Sequence, residues 1–174
     1  DEEEEVKRLL DRIREEVKRL HDENKKRLDE LRRTVDKLLR ESERENKRVN
    51  DEVRKDGIPK EVLDELKEMS DRDREENERI VRDARKKIDD IERRSKKLLD
   101  DVEDALRRLE ELLRRNTDVE TLKRRIEDVL RRVEEESRRL NKELEDVLRR
   151  AKELVDRSKK KLEEVLRRVK EKAK

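Results

Sequence analysis

Apolar residues recur along this chain in steps of three and four, the spacing that places them on one face of an α-helix. In the last third of the chain the pattern runs through Leu122, Ile126, Leu130 and Val133, and it continues as far as Val169. Most of the residues between these positions are charged. The pattern therefore predicts long amphipathic helices rather than strands, in which apolar and polar residues would alternate.

The pattern also repeats every eighteen residues. The phrase EDVLRR begins at Glu127 and again at Glu145, and the near copy EEVLRR begins at Glu163. In the first third of the chain, Leu10 and Leu28 have the same spacing. Eighteen residues make five turns of an unstrained α-helix, whereas a seven-residue repeat would force a left-handed supercoil. We therefore expect straight, untwisted helices that keep one face directed at the core.

Two short stretches divide the chain into three segments. In KDGIPKEV, Gly57 favours the left-handed conformation that ends a helix, and Pro59 suits the first turn of the next one. In RRNTDVETL, Asn116 is a candidate left-handed C-cap, and Thr117 with Glu120 fits a capping box. The predicted helices span about residues 1–56, 59–115 and 117–174.

The matched segment lengths and the short connections predict helices that run up, down and up beside one another. Apolar doublets widen each stripe, as a helix that packs against two neighbours requires. We therefore expect an all-α fold, a straight up-down-up three-helix bundle with helices of about 55 residues, in a single domain of residues 1–174. One chain would close its own core as a monomer. A further helical partner or a homo-oligomer stays open as the alternative.

Polar residues interrupt the apolar stripe at positions that are apolar elsewhere in the repeat; Ser70, for example, is eighteen residues from Ile88. In an antiparallel arrangement, residues equally far from Gly57 along the first two helices lie at one height along the bundle. In the same way, residues equally far from the second turn along the second and third helices lie at one height. By these rules the interruptions form two layers. The first, the His21 layer, comprises His21, Asn24, Ser95, Ser137 and Asn141. The second, the Asn77 layer, comprises Ser42, Asn46, Ser70, Asp73, Asn77 and Ser158.

A buried amide or hydroxyl group without a hydrogen-bond partner costs about 1–3 kcal/mol. We therefore expect the polar groups of each layer to form a buried hydrogen-bond network. Sliding one helix by a repeat would break that pairing. The layers are thus predicted to select register and topology at some cost in stability.

Composition narrows the range of partners. The chain has 174 residues, of which 62% are charged and none is aromatic, and its 55 basic residues nearly balance its 53 acidic residues. The charge balance and the apolar period argue against disorder. The mixed charge offers no basic face for nucleic acid, and no apolar run is long enough to span a membrane. We expect a soluble protein, cytoplasmic in an expression host, with no nucleic-acid, membrane or small-molecule partner.

Candidate chemistry is sparse. His21 is the one histidine and there is no cysteine, so a metal ion would lack further nitrogen or sulfur ligands. A pH response of His21 is a second interpretation, because a buried histidine can change its charge near neutral pH. Asp73 has no evident activated nucleophile or cofactor around it. We predict no catalytic residue, no cofactor and no metal site.

The eighteen-residue period, the matched helices and the two polar layers resemble computationally designed, parametrically generated helical bundles with buried hydrogen-bond networks. The restricted alphabet and the loops DGIPKEV and RNTDVET add to this resemblance, which covers the whole chain. The class implies a thermostable scaffold, a kind of coiled coil without natural biochemical activity. The alternative is a designed protein–protein interaction module, either a subunit of an assembly or a switch cage that accepts a further helix.

Overall fold

Three long α-helices make up almost all of the protein. The computed structural model describes residues 1–55 and 57–173, and these contain no strand. The helices are α1 (Glu2–Lys55), α2 (Lys60–Arg114) and α3 (Val119–Ala173). The predicted ends at Asp56 and Lys174 lie outside the described residues, and the other predicted ends agree with the observed ones to within two residues. The predicted all-α three-helix bundle is confirmed.

The chain divides into two compact units, and every helix contributes to both. The first unit comprises Asp1–Glu30 and Asp89–Glu145, and the second comprises Leu31–Ile88 and Asp146–Lys174. Each unit therefore contains a segment of α1, of α2 and of α3. The single domain and the straight course of the helices stay predictions.

The core of the first unit is built from aliphatic side chains of all three helices. Leu10 of α1, Leu106 of α2 and Leu122 of α3 belong to one cluster and are at most 2% exposed. Partly buried doublets such as Leu98 and Leu99 flank this cluster, as expected for helices that contact two neighbours. Each fully buried side chain of this size contributes roughly 1.5–3 kcal/mol to stability.

The core of the second unit includes a larger and a smaller apolar cluster. The larger combines residues of the three helices, including Val53, Leu66 and Leu166, with Ile58 from the first loop. Ile58 is 7% exposed, so this loop residue packs into the core. The smaller cluster combines Leu38, Ala151 and Val155, with Ile80 packed against it. The core of this unit is therefore aliphatic and takes side chains from every helix.

The turn after α2 ends the helix in a Schellman motif. Asn116 has a φ of 59°, in the left-handed region. The N–H of Thr117 donates to the carbonyl of Leu112 at 3.2 Å, and the N–H of Asn116 donates to the carbonyl of Leu113 at 3.2 Å. These two bonds satisfy carbonyls that the end of a helix otherwise leaves free. The predicted role of Asn116 as a left-handed C-cap residue is confirmed.

The N-cap of α3 is Asp118. Its carboxylate accepts hydrogen bonds from the N–H of Thr121 at 3.4 Å and from the Thr121 hydroxyl at 3.1 Å. Its carbonyl accepts the N–H of Leu122 at 3.0 Å, the first bond of the helix. The predicted capping box of Thr117 and Glu120 is wrong, because the Thr117 N–H closes the preceding helix and α3 begins later.

The first turn depends on backbone conformation at Gly57. Its φ is 61°, and a Cβ atom placed there would meet nothing within 4 Å. The preference for glycine is therefore conformational and not a matter of space. Pro59 lies directly before α2, and its carbonyl accepts the N–H of Leu63 at 3.1 Å. Proline suits this place because its missing N–H would have no partner within the helix.

Replacing the N-cap tests the observed start of α3. We expect Asp118→Ala to lower the free energy of unfolding by about 1 kcal/mol, because the first turn loses its side-chain acceptor. Thr117→Ala is the matched control and should change it by less than about 0.5 kcal/mol. Guanidinium chloride unfolding followed by circular dichroism measures both. A larger loss for Thr117→Ala than for Asp118→Ala would contradict the assignment.

Candidate functional site: two layers of buried polar side chains

The buried polar side chains of the described residues all come from the two predicted layers. These side chains are Asn24, Ser42, Asn46, Ser70, Asn77, Ser95 and Ser137. The other four members of the layers are half-buried, namely His21, Asp73, Asn141 and Ser158. The His21 layer lies entirely within the first unit and the Asn77 layer entirely within the second. Each layer can therefore be described within its own unit.

In the second unit the Asn77 side chain of α2 reaches both other helices. Its Nδ2 donates to Ser42 Oγ of α1 at 2.5 Å and to Ser158 Oγ of α3 at 3.0 Å. Nδ2 also lies 3.4 Å from Asp73 Oδ2. An amide nitrogen has two hydrogens, so the two shorter contacts use its donor capacity and the third is weak. One asparagine thus connects all three helices.

Asp73 and Ser158 extend this arrangement. Asp73 precedes Asn77 by one helical turn, which places both side chains on one face of α2. The Ser158 hydroxyl donates to Asp73 Oδ1 while it accepts from Asn77 Nδ2. Hydrogen bonds in such a chain polarise and strengthen one another. The half-buried carboxylate of Asp73 is therefore held mainly by the Ser158 hydroxyl of α3.

A separate bond in the Asn77 layer joins α1 to α2. The Ser70 hydroxyl donates to Asn46 Oδ1 at 3.1 Å, and both residues are at most 5% exposed. This pair and the Ser42–Asn77 pair agree with the predicted antiparallel heights to within about one helical turn. The structure thus brings every member of the predicted Asn77 layer into a hydrogen bond with another member.

The His21 layer is bonded more sparsely. His21 Nδ1 of α1 lies 3.4 Å from Ser95 Oγ of α2, at the long end for a hydrogen bond. His21, Asn24, Ser95 and Ser137 together line a cavity of about 20 Å³. Asn141 is half-buried on α3. The pH response of His21 stays a prediction.

Some amide atoms in both layers are buried without a protein partner. Among the described residues nothing hydrogen-bonds to Asn24 Oδ1, Asn46 Nδ2, Asn77 Oδ1 or Asn141 Oδ1. A buried polar atom in this condition costs about 1–3 kcal/mol. The expectation that the layers satisfy themselves is therefore met only in part by protein groups. The sequence pattern did not predict these unpaired amide atoms, because it assigns residues to a height along the bundle but does not determine how their amide groups are oriented.

Ion pairs join α1 to α3 within each unit, and one of them is exposed while the other is part-buried. Glu5 pairs with Lys123 at 3.2 Å in the first unit, and Glu52 pairs with Lys170 at 2.7 Å in the second. Both pairs have a sequence separation of 118 residues. The hydrogen bond from Lys123 to the Glu5 carboxylate raises the pKa of the Lys123 ammonium group. Solvent-accessible pairs of this kind contribute little energy, so neither pair holds the helices together by itself.

The chemistry of both layers is that of hydrogen bonding. Asn77, Ser158 and Asp73 are engaged with one another, and their bonds link helices. Within residues 1–55 and 57–173, His, Cys, Asp and Glu side chains form no group of three that could hold a metal ion. None of the described helices has a stretch long and apolar enough to cross a membrane.

Comparison with known proteins finds no match to any protein-family model, curated protein or solved structure. We therefore infer the role of the two layers from burial, distances and hydrogen bonds. These observations favour a role in helix pairing, because the bonds of the Asn77 layer join α2 to both α1 and α3.

Asn77→Asp tests whether the amide of Asn77 acts as a donor. The introduced carboxylate keeps the shape but removes the donor and places a second negative charge beside Asp73. We expect the free energy of unfolding at pH 7 to fall by at least about 2 kcal/mol relative to the unmodified protein. Urea unfolding measures the difference.

The same variant gives a pH dependence with a definite sign. Burial beside Asp73 raises the pKa of the introduced carboxyl group in the folded state, so the folded state binds its proton more tightly than the unfolded state. The loss in free energy of unfolding that Asn77→Asp causes should therefore become smaller as the pH falls from 7 to 4. Asn50→Asp, at a half-buried asparagine outside both layers, is the control and should shift stability by less than about 0.5 kcal/mol. Equal losses in the two variants would contradict the donor role.

Proposed function

We propose that this chain is a designed structural scaffold, a parametrically generated helical bundle without natural biochemical activity. Its fold would be specified by the eighteen-residue core repeat together with the His21 and Asn77 layers. The observation that carries the proposal is the Asn77 amide, which bonds to Ser42 of α1 and to Ser158 of α3. The polar chemistry of this layer is directed at other helices of the same chain, so its role is in the fold itself.

Residues that lie eighteen apart in one helix share what we call a repeat position, and the residues found at one such position support the proposal. Val6, Asn24 and Ser42 share a repeat position in α1 and are all buried, at 0%, 3% and 7% exposure. Polar residues have thus been placed into an apolar pattern without changing its period. This is the arrangement expected when a uniform core is built first and polar layers are added to it.

The distribution of apolar surface also supports a self-contained scaffold. Within the described residues, Met69 is the one large apolar side chain that is exposed, at 39%. Surfaces that recruit protein partners usually present a contiguous apolar patch. A single exposed methionine offers no such patch, and we therefore expect a monomer.

An interaction module is the second candidate, and a groove in the second unit favours it. The groove lies between α1 and α3, has a volume of about 290 Å³, and is lined by Ser42, Ser158, Val155 and Leu162 among others. A further helix that docked there would meet two apolar side chains and two hydroxyl groups, together with charged side chains of both signs from α1 and α3. Those hydroxyls already bond to Asn77, so the new helix would compete with a contact inside the chain.

Absolute mass in solution distinguishes the two candidates. Light scattering on a size-exclusion column, with protein concentration varied over about a thousandfold, should give a constant mass of 21.5 kDa for a self-contained scaffold. Met69→Glu is a control that removes the exposed apolar side chain and should leave the mass unchanged. A mass of two or more chains in both proteins would contradict the scaffold proposal and favour the interaction module.

A further inference from the structure

The second unit carries a groove between α2 and α3 that opens to solvent. Its volume of about 360 Å³ is near the lower end of the range for sites that bind small organic molecules. Its apolar lining consists of Ile80, Ala84, Val147, Ala151 and Leu154. Ala84 and Ala151 are buried and the other three are half-buried, so the two alanines form the base of the groove. We call this feature the alanine groove.

Two short side chains on neighbouring helices leave the room for the alanine groove. In the other repeats of α2 and α3, the repeat positions of Ala84 and Ala151 hold larger aliphatic residues, namely Leu66, Val102, Val133 and Val169. All four of these larger residues are buried in the apolar clusters of their own units. Alanine lacks the outer carbon atoms of valine and leucine. The two positions therefore leave a local gap that an apolar part of a ligand can fill.

The charged side chains around this apolar base are predominantly basic. They are four cations and one carboxylate, which give a net charge of +3, namely Arg79, Lys86, Lys87, Arg150 and Asp83. The groove between α1 and α3 has three basic and three acidic side chains in its lining and therefore no net charge. None of the four cations of the alanine groove forms an ion pair with a residue that the structure describes, whereas the adjacent Arg149 pairs with Asp146 at 3.2 Å. The groove therefore favours a negatively charged ligand.

We propose that the alanine groove binds an aliphatic carboxylate, a molecule with one unbranched hydrocarbon chain and one negatively charged head group. The hydrocarbon chain lies on Ala84 and Ala151 and exchanges water for apolar contacts. The head group meets the surrounding cations, because arginine and lysine side chains form charge-assisted hydrogen bonds to carboxylates. The long stems of these side chains allow their charged ends to follow a head group that stays in contact with water.

The extent of the groove favours a single hydrocarbon chain over a docked helix. The lining residues of α2 run from Arg79 to Lys87, which corresponds to about 12 Å of helix. One repeat away in the same unit, the repeat positions of the two alanines hold Leu66 and Val169, and both are buried. A helix that lay along α2 and α3 would therefore find the gap over only about two of its own turns. An unbranched chain of about ten carbon atoms needs no longer groove.

This inference goes beyond the proposed function and does not depend on it. A self-contained scaffold and an interaction module would both carry the alanine groove, because α2 and α3 of the same chain form it. The composition of the whole chain did not indicate the site, since its 55 basic and 53 acidic residues nearly cancel. The site depends instead on where the cations and the two alanines lie.

A series of chain lengths tests the proposal on the unmodified protein. Octanoate, decanoate and dodecanoate are titrated, each below the concentration at which it forms micelles, into protein with carbon-13 in its alanine methyl groups. We expect the NMR signals of Ala84 and Ala151 to shift, and the signal of Ala105 in the first unit to stay in place. The dissociation constant should fall about two- to fourfold for each added CH₂ group. Shifts without dependence on chain length would overturn the proposal.

The sign of the head group provides a second test with the same protein. Decyltrimethylammonium has a hydrocarbon chain of the same length as decanoate but a positive charge. It should bind at least about tenfold more weakly than decanoate, because it meets a net positive charge in place of a complementary one. Equal binding of the two molecules would show apolar adsorption alone and would overturn the proposal.

Filling the groove tests its location. The double variant Ala84→Leu and Ala151→Val introduces the residues that the same repeat positions hold at Leu66 and Val169. It should weaken decanoate binding at least about tenfold, because the larger side chains take the place of the hydrocarbon chain. Circular dichroism establishes that the variant is folded. Unchanged binding of decanoate to the folded variant would overturn the proposal.

A single change of charge keeps the location testable even if the filled variant does not fold. Arg150→Gln removes one cation of the groove and should weaken decanoate binding about threefold. Arg132→Gln is the matched control, because Arg132 shares the repeat position of Arg150, is likewise exposed and lies in the first unit. It should leave the dissociation constant unchanged. Equal effects of the two substitutions would place the ligand elsewhere and overturn the proposal.

Discussion

A polar group that is buried away from water must find a hydrogen-bond partner, and the pairing of these helices depends on that constraint. Apolar side chains attract one another without direction, so an aliphatic core tolerates many arrangements of similar energy. The amide of Asn77 tolerates fewer arrangements, because its hydrogens must meet the oxygens of Ser42 and Ser158 at hydrogen-bond distance. On the proposed role, the core supplies most of the stability and the layers restrict how it is assembled.

The eighteen-residue repeat gives a reason for such a restriction. A helix displaced by one repeat, about 27 Å, would present the same apolar pattern to its neighbours. In the native pairing, Ser70 bonds to Asn46. Displacing α2 by one repeat would place Ser70 opposite Leu28 in one direction, or Asn46 opposite Ile88 in the other. In either case a polar group would face an aliphatic side chain and lose its hydrogen-bond partner. We propose that this cost disfavours the displaced register.

Sequence patterns predicted the helices and the inward polar positions because both follow from periodicity. Asn24 and Ser42 could be identified because Val6 occupies the same repeat position, and all three are buried. The choice of capping residue and the orientation of an amide group depend on local geometry that a sequence pattern does not contain. Thr117 and Asp118 are both good capping residues, and only the closing bond of α2 decides between them. Likewise the orientation of the Asn24 amide, and hence its unmet acceptor, follows from packing within the first unit.

We propose that the polar layers select one arrangement of the helices among several that an apolar core would allow. The residues at each repeat position supply the substitutions that test this. Each member of the Asn77 layer can be replaced by an apolar residue from its own repeat position. The resulting variant carries Ser42→Val, Asn46→Leu, Ser70→Ile, Asp73→Ile, Asn77→Leu and Ser158→Leu.

The deciding measurement is the two-dimensional amide NMR spectrum of this variant beside that of the unmodified protein. Circular dichroism first establishes that helicity is retained. We expect one set of amide signals for the unmodified protein. For the variant we expect several sets or broadened signals, because its helices can pack in more than one way. A single sharp set of signals from the variant would contradict a role of the Asn77 layer in selecting the arrangement.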